Sequence, residues 1–327
     1  MQEPDIQSAQ MKSVPLSRIN SRDDTFRITT RTNVNDLLAS IPHEGLLSPH
    51  LVIQQPSDFR IVSGFRRIAA FNELGLQEIT LRIVKPDLSS LQCLRLAIAD
   101  NSFQRPLNLI EASLSLQKLS AFFNTGQRLS ESAATLGMPS NPSVIKKIKD
   151  LCQLPESIQS AIIADTISLS MAGELEKLPT NFAIALARLF SEFKLSLNKQ
   201  REILTLIKEI ARRDSISEQA VLEDRQLQDV ILDQDLDRGQ KVRELRAYLR
   251  QRRFPQIVNT EANFENQRKQ LNLGHDIKLI PPKEFEGTTY TVNISFSSIT
   301  QLKALHSNLS RILKHPGLKN IIERKES

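Results

Sequence analysis

Two short blocks of this 327-residue chain combine residue types that can hold a polyphosphate. The first is Gly64-Phe65-Arg66-Arg67. It follows the alternating run Phe59-Arg60-Ile61-Val62-Ser63 and precedes Ile68-Ala69-Ala70-Phe71-Asn72-Glu73-Leu74, which ends at Gly75. Alternation predicts a strand and the later spacing a helix, so the glycine falls where one hands over to the other. A glycine there lets a ligand approach the backbone closely. The helix directs free N–H groups and the positive end of its dipole at that ligand. Arg66 and Arg67 add fixed charge with forked donors suited to phosphate oxygens. The plain alternative is a turn glycine followed by two solvated arginines. The second block is Asp100-Asn101-Ser102-Phe103-Gln104-Arg105, at the end of a helical run whose apolar side is Leu91, Leu94, Leu96 and Ile98. Oxygens of Asp100 and Asn101 are hard-cation ligands of the kind Mg²⁺ uses together with substrate phosphates. Polar residues meeting water at a helix end explain them equally well. Asn108 and Glu111 have the spacing of an N-cap and its reciprocal partner, which makes Glu111 structural rather than catalytic.

The elements needed to position these blocks can be read from the surrounding pattern. Leu51-Val52-Ile53 and Phe59 to Val62, joined by Gln55-Pro56-Ser57-Asp58, predict a hairpin, and Ile79 to Val84 a further strand stopped by Pro86. From Leu88 the pattern is helical. A helix-turn-helix is expected where Ser130 caps Glu131 to Leu136, Gly137 breaks the helix, and Asn141-Pro142 opens a second one. In that second helix Ile145, Ile148, Leu151 and Cys152 fall on one side, Lys146 and Lys147 roughly opposite, and Lys149 at the border. Such a helix suits a DNA major groove, and a solvated lysine face is the equal alternative. Scaffold helices are expected over Ile158 to Ala164, Ala172 to Leu178, Phe182 to Phe193 and Lys199 to Arg213.

Ser215 to Asp237 is acidic-leaning and reads as a hinge or an exposed helix. A basic helical stretch follows, with Arg238, Lys241, Arg243, Arg246, Arg250, Arg252 and Arg253, and Pro255 ends it. Its default reading is a solvated charged helix, with a non-specific DNA contact as the lesser option. Beyond it come strand Ile277 to Ile280, a half-buried strand alternating Tyr290, Val292, Ile294 and Phe296, and a helix carrying Leu302, Leu305, Leu309, Ile312 and Leu313. The fold class is α+β, mostly helical.

With 43 Lys and Arg against 37 Asp and Glu, the formal net charge is +6, which fits a nucleic-acid partner without requiring one. Cys93 and Cys152 stand alone, which argues against a disulfide or a zinc site. His43, His50, His275, His306 and His315 are scattered and form no metal motif. No apolar run reaches membrane-spanning length, and Met1-Gln2-Glu3-Pro4-Asp5 lacks signal-peptide character, so a cytoplasmic chain with no membrane partner is expected.

The order of the blocks resembles the ParB family of chromosome- and plasmid-partition proteins. Val14-Pro15-Leu16-Ser17-Arg18-Ile19 is similar to the family's first strand. Leu37 to Ile41 with Glu44-Gly45-Leu46-Leu47-Ser48-Pro49 resembles its helix and Gly-Leu-Leu-x-Pro turn. Ser63 to Ala70 resembles its Gly-Glu-Arg-Arg box, and Asp100 to Arg105 with Leu107 to Ala112 its Glu-Asn-x-Gln-Arg box and following run. Leu129 to Gly137 and Leu151-Cys152-Gln153-Leu154-Pro155 resemble its DNA-binding helices.

Residues 1–12 are polar and expected to be a disordered tail, and the resemblance implies a ParB/sulfiredoxin-like nucleotide-binding domain over 13–105. A helical DNA-binding domain over 106–214, a charged linker or helix over 215–253 and a C-terminal α+β unit over 254–327 complete the division. The last unit would serve self-association as a homodimer.

It further implies CTP and Mg²⁺ as cofactors and a clamp that loads at a centromere-like double-stranded DNA site. A ParA-type ATPase as partner and a nucleoid-associated location belong to the same picture. Gly64, Phe65, Arg66 and Arg67 would surround the triphosphate, and Gly45 and Leu46 would lie near the cytosine. Asn101 would hold Mg²⁺ and Arg105 support phosphate. Asp100 stands where the family has a glutamate linked to slow CTP hydrolysis, and Phe65 where its arginine box has glutamate, so binding is better supported than turnover. For DNA, Ser140, Asn141 and Ser143 near the start of the second helix are expected on bases, with Lys146, Lys147 and Lys149 mainly on phosphates. Those two departures keep a plain sequence-specific regulator without nucleotide control as the alternative. A sulfiredoxin-like enzyme is disfavoured because Phe65 stands where its cysteine is needed.

Overall fold

A computed structural model describes residues 10–84 and 88–322. The chain divides into two compact units, residues 1–200 and 201–327. The expected boundaries at 12/13, 105/106, 214/215 and 253/254 divide the chain more finely. The reason is packing: the sheet and the first helices share continuous contacts, and the observed division falls inside the helix Leu197–Asp214.

In the first unit, five strands form one mixed sheet in the order β1-β5-β3-β4-β2. They are β1 (Gln10–Pro15), β2 (Ile19–Asn20), β3 (His50–Gln54), β4 (Phe59–Ser63) and β5 (Glu78–Val84). The expected hairpin is β3–β4, antiparallel through Gln54↔Phe59. Beside it β3 and β5 run parallel, His50 opposite Leu81. Residues 10–12, expected to belong to a disordered tail, are strand paired with β5, Gln10 opposite Ile83. Three polar or flexible residues hid that pairing, because an edge strand needs no buried face. The rest of that tail and Pro86 lie outside the described residues. Helices α1 (Asn35–Glu44) and α2 (Phe65–Glu73) cover the sheet, and Ile41, Ile68 and Phe71 join Val14, Val52, Phe59, Ile61 and Leu81 in one core.

Helix α3 (Ser90–Ser102) lies against β4 and is capped reciprocally by Ser89 and Gln92. Helix α4 (Leu109–Ser120) begins with the expected Asn108–Glu111 capping box. Glu111 does more than cap. Its carboxylate has no exposure and pairs with both Nη atoms of Arg105 at 2.6 and 2.7 Å. It also accepts from Thr29 Oγ1 and Thr30 N–H.

Next come α5 (Gly126–Ala134) and α6 (Pro142–Lys149), the expected helix-turn-helix. The first of these starts earlier than its sequence suggested. Thr125 caps it, while Ser130 lies buried inside and donates to the Gln127 carbonyl. Glycine is a poor helix former, so a first helical position held by Gly126 gives no helical signal. The α6 start is as expected, with Asn141 as cap and Pro142 at the first position. Four further helices, α7 (Glu156–Ile163), α8 (Leu169–Leu175), α9 (Thr180–Glu192) and α10 (Leu197–Asp214), match the four expected scaffold segments within a few residues.

The second unit holds α11 (Glu218–Leu222), α12 (Arg225–Leu232), α13 (Arg238–Arg253), α14 (Pro255–Leu271), β6 (Ile277–Ile280), β7 (Thr291–Ile294), α15 (Ile299–Leu313) and α16 (Pro316–Ile322). The acidic stretch is therefore two short helices that bury Val221, Leu222 and Leu227. Helix α13 is less of a solvated face than its composition implies. Arg246 pairs with Glu202, Arg250 with Glu261, Arg252 with Asp214 and Asp224, and Arg253 with Glu209. The β6–β7 ribbon is completed by α14 and α16, with Phe264, Leu271, Leu318 and Ile321 in its core. The expected stripe on β7 is covered only in part: Tyr290 and Ile294 pack against this core, while Val292 is 44% and, beyond the strand, Phe296 54% exposed. A two-stranded ribbon can be covered on one side only, and here the cover reaches β6, where Ile277 and Leu279 are buried.

Glu111 sets a stability prediction. Burial alone would raise its carboxyl, but hydrogen bonds from Arg105, Thr30 and Asn108 outweigh that and hold it below its ordinary 4.5. Its stabilisation is thus present above pH 4.5 and lost as the pH falls through its folded value. Glu111→Gln, which leaves Arg105 without its charge partner, should cost about 3 kcal/mol in denaturant unfolding near neutral pH. The gap between wild type and variant should narrow in acid. An equal gap at pH 7 and pH 3 would show that the carboxylate's charge is not what matters.

Candidate functional site

The strand-to-helix junction is built as the sequence implied. Gly64 sits between β4 and α2 with φ +98°, a conformation that favours glycine. A Cβ there would lie 2.5 Å from His50 Cδ2, so sterics as well as backbone demand glycine. No side chain caps α2, which leaves the first N–H groups of the helix without a side-chain acceptor, as an anion site requires.

Around this junction a cleft of about 420 Å³ opens. Its lining gathers Gly45 and Leu46 from the turn after α1, Gly64, Phe65, Arg66 and Arg67 from the junction, and Asp100, Asn101 and Arg105 from the end of α3 and beyond. Three blocks spread over some sixty positions of chain thus meet at one concavity. Every residue named from sequence for the nucleotide and the cation is on its wall.

Each basic group is held in a definite place. Arg66 donates to the Asn33 carbonyl from Nε (3.0 Å) and Nη2 (2.8 Å), and to Asp36 Oδ1 at 2.6 Å. That hydrogen bond keeps the Asp36 carboxyl below its ordinary value. Arg67 donates to the Ser48 carbonyl and lies 3.7 Å from Asp100 Oδ2. Asp100 also accepts from Ser63 Oγ and from Gln104 Nε2 (3.0 Å). Asn101 spends its amide nitrogen on the Ala97 carbonyl (2.8 Å), which leaves Oδ1 as the atom able to meet a cation. Arg105 reaches the cleft edge with its guanidinium committed to Glu111. Phe65 packs against the sheet core, with the Arg27 guanidinium 5.9 Å from its ring centroid.

Sequence reasoning missed the opposite wall. Phe26, Ile28 and Thr29 line the cleft from a stretch without regular structure, where no periodicity marks them. It also missed His50, which is 1% exposed with neither ring nitrogen hydrogen-bonded. The ring packs edge-on to Phe71, at 6.1 Å between centroids. Burial, helped by the charge of Arg67, pushes its pKa down to about 3.

At the helix-turn-helix, Ser140, Asn141, Ser143, Lys146 and Lys147 are exposed and Lys149 half-buried beside Asp150. Ile145 and Ile148 are buried beneath them. Asn141 spends its carbonyl oxygen on capping, accepting from Ser143 N–H and Ser143 Oγ. Only its amide donor is left to face outward.

A glycine–arginine helix start and an Asp-Asn helix end thus share one cleft, ahead of a helix-turn-helix in the chain. Residues 1–102 match the family model described as ParB N-terminal domain. The chain is 24% identical over 204 residues to the chromosome-partitioning protein ParB of Myxococcus xanthus, covering 62% of this chain and 67% of that one. It is 26% identical over 212 residues to a probable plasmid-partitioning protein ParB of Thermus thermophilus, covering 56% and 70%. Among solved structures, it is similar to C-terminally truncated ParB of Caulobacter crescentus complexed with CTP-γ-S. That match has 26% identity, 55% of this chain, 98% of that chain and a TM-score of 0.27. The same protein complexed to the centromeric parS site matches at 23% identity over 58% and 96%, TM-score 0.34.

His50 supplies the prediction here. Two buried, unpartnered ring nitrogens cost about 1–3 kcal/mol, so His50→Leu should melt at a higher temperature at pH 7. The folded pKa lies below the ordinary 6.5, so protons favour the unfolded chain and His50 lowers stability as the pH falls from 6.5 toward 3. The advantage of His50→Leu should therefore widen between pH 7 and pH 5, as calorimetry would read. A variant that melts lower at both values would mean that the imidazole has a partner in solution.

Proposed function

We propose that this protein is a DNA-binding partition protein whose N-terminal cleft binds CTP, the nucleotide controlling its grip on a double-stranded DNA site as a clamp. The observation that carries this reading is the meeting of the Gly45 turn, the uncapped α2 start with Arg66 and Arg67, and the Asp100-Asn101 helix end around one cleft. Uncapped N–H groups, two guanidiniums and hard oxygen ligands are the parts that a triphosphate with a divalent cation requires. The donor set fits Mg²⁺, which takes one or two protein oxygens and completes its shell with water and phosphate. Asn101 Oδ1 would contribute the protein ligand. CTP rather than another triphosphate is the reading that the relatives support, since the Caulobacter protein was solved with CTP-γ-S.

Binding without efficient turnover is the form of this reading that the geometry favours. Asp100 has a shorter side chain than glutamate, and its carboxylate already accepts from Ser63 and Gln104. For DNA, α6 offers an exposed basic end over a buried apolar stripe, the arrangement that places a helix in the major groove. Self-association would use the C-terminal unit, which exposes Val292, Phe296, Ile299 and Leu313.

Binding of the four nucleoside triphosphates, measured with and without candidate centromere DNA, tests the nucleotide arm. CTP should bind selectively, and Arg66→Ala should abolish it. Equal or absent binding of all four would favour a sequence-specific DNA regulator on the same fold. The DNA arm is tested by salt titration. Affinity should fall steeply with salt, and neutralising Lys146 and Lys147 should make the log–log slope shallower by roughly two. An unchanged slope would remove α6 from the DNA contact.

A further inference from the structure

One wall of the cleft, with Phe26, Ile28 and Thr29, belongs to the stretch from Ser21 to Val34, which has neither helix nor strand. Backbone without a ladder must find other partners for its polar groups. Here a single cation supplies three of them. Lys118 Nζ, from α4, donates to the carbonyls of Asp24 (2.7 Å), Thr25 (2.9 Å) and Arg27 (2.8 Å). An ammonium has three donors, so three carbonyls satisfy it fully. Two turns earlier on the same helix face, Glu111 holds the other end of the wall through Thr29 Oγ1 (3.2 Å) and Thr30 N–H (3.1 Å). The opposite face of α4 carries Ser113, whose Oγ donates to the Lys149 carbonyl and accepts from Cys152 N–H at the end of α6. The cleft wall and the DNA-binding helix are thus attached to different faces of one helix.

We infer that Lys118 is a positioning residue for the ligand cleft: it fixes the Phe26–Thr29 wall, and so the shape that the ligand meets, without touching the ligand. The inference rests on the triphosphate reading given above. A lysine that only stapled a loop for stability would lower the melting temperature and leave affinity unchanged. A positioning residue changes affinity because an ordered wall lowers the entropy lost on binding.

The test uses the full chain with Lys118→Met, which keeps the stem and removes the donors, and Lys118→Arg, which keeps the charge and donors. Hydrogen exchange at the Arg27 amide, which donates to the Asp24 carbonyl, reads the wall in the unliganded protein. CTP titration reads the cleft. Lys118→Met should speed exchange at Arg27 and weaken CTP binding about tenfold, while DNA binding without nucleotide stays unchanged because the Ser113 face is intact. Lys118→Arg should recover part of the CTP affinity. Unchanged exchange at Arg27, or full CTP affinity in Lys118→Met, would overturn the inference. If the wild-type chain binds none of the four triphosphates, the nucleotide reading is what fails. The exchange measurement then decides by itself whether Lys118 holds the wall.

Discussion

A carboxylate with no exposure needs several donors to be tolerated, because a buried charge without partners costs far more than folding can spare. Glu111 receives them from Thr29, Thr30, Arg105 and Asn108. Those donors come from a loop of the sheet region, from just after α3, and from the cap of Glu111's own helix. Satisfying one charge therefore fixes the relative places of three segments, and two of them form walls of the cleft. Arg105 illustrates the consequence. Its guanidinium sits at the cleft edge because Glu111 holds it there, whatever it also meets on the ligand side.

The junction beside it depends on a different kind of constraint. Gly64 is forced by a positive φ and by the His50 ring behind it, so α2 can start only at this point and with this aim. Arg66 and Arg67 then take fixed positions against backbone carbonyls of Asn33 and Ser48. Such preorganisation lowers the ordering cost of binding. Phe65, between them in role, faces the core and adds no charge to the site. The neutral, orphaned His50 is the cost of this packing, paid in unsatisfied nitrogens rather than in charge.

The helical part of the first unit is assembled through α4. Glu111, Ser113 and Ser115 are all fully buried in it, an unusual number of polar groups for one short helix. Each has a partner on another segment or on the helix backbone. Buried and satisfied polar groups of this sort specify one arrangement of neighbours more sharply than apolar contact does.

Local chemistry made much of this legible from the chain alone. The β3–β4 hairpin, the glycine junction, the Asn108–Glu111 cap, the Asn141-Pro142 helix start and the scaffold helices all rest on interactions within a few residues, which short-range pattern records. The residues of the two blocks could be named for the same reason. What they meet could not. The Phe26–Thr29 wall, the contacts of Glu111 with Thr29 and Thr30, Lys118 on three carbonyls and the burial of His50 join positions far apart in sequence, and no periodicity encodes such pairs. The start of α5 was misplaced because Thr125 caps a helix that opens on glycine. The cover of the β7 face was overestimated because alternation says that one side is apolar, not that anything covers it. Sequence determined which residues could do chemistry and which elements carry them. Only the tertiary structure decided that those elements converge on one cleft, because convergence is set by long-range packing around a buried charge.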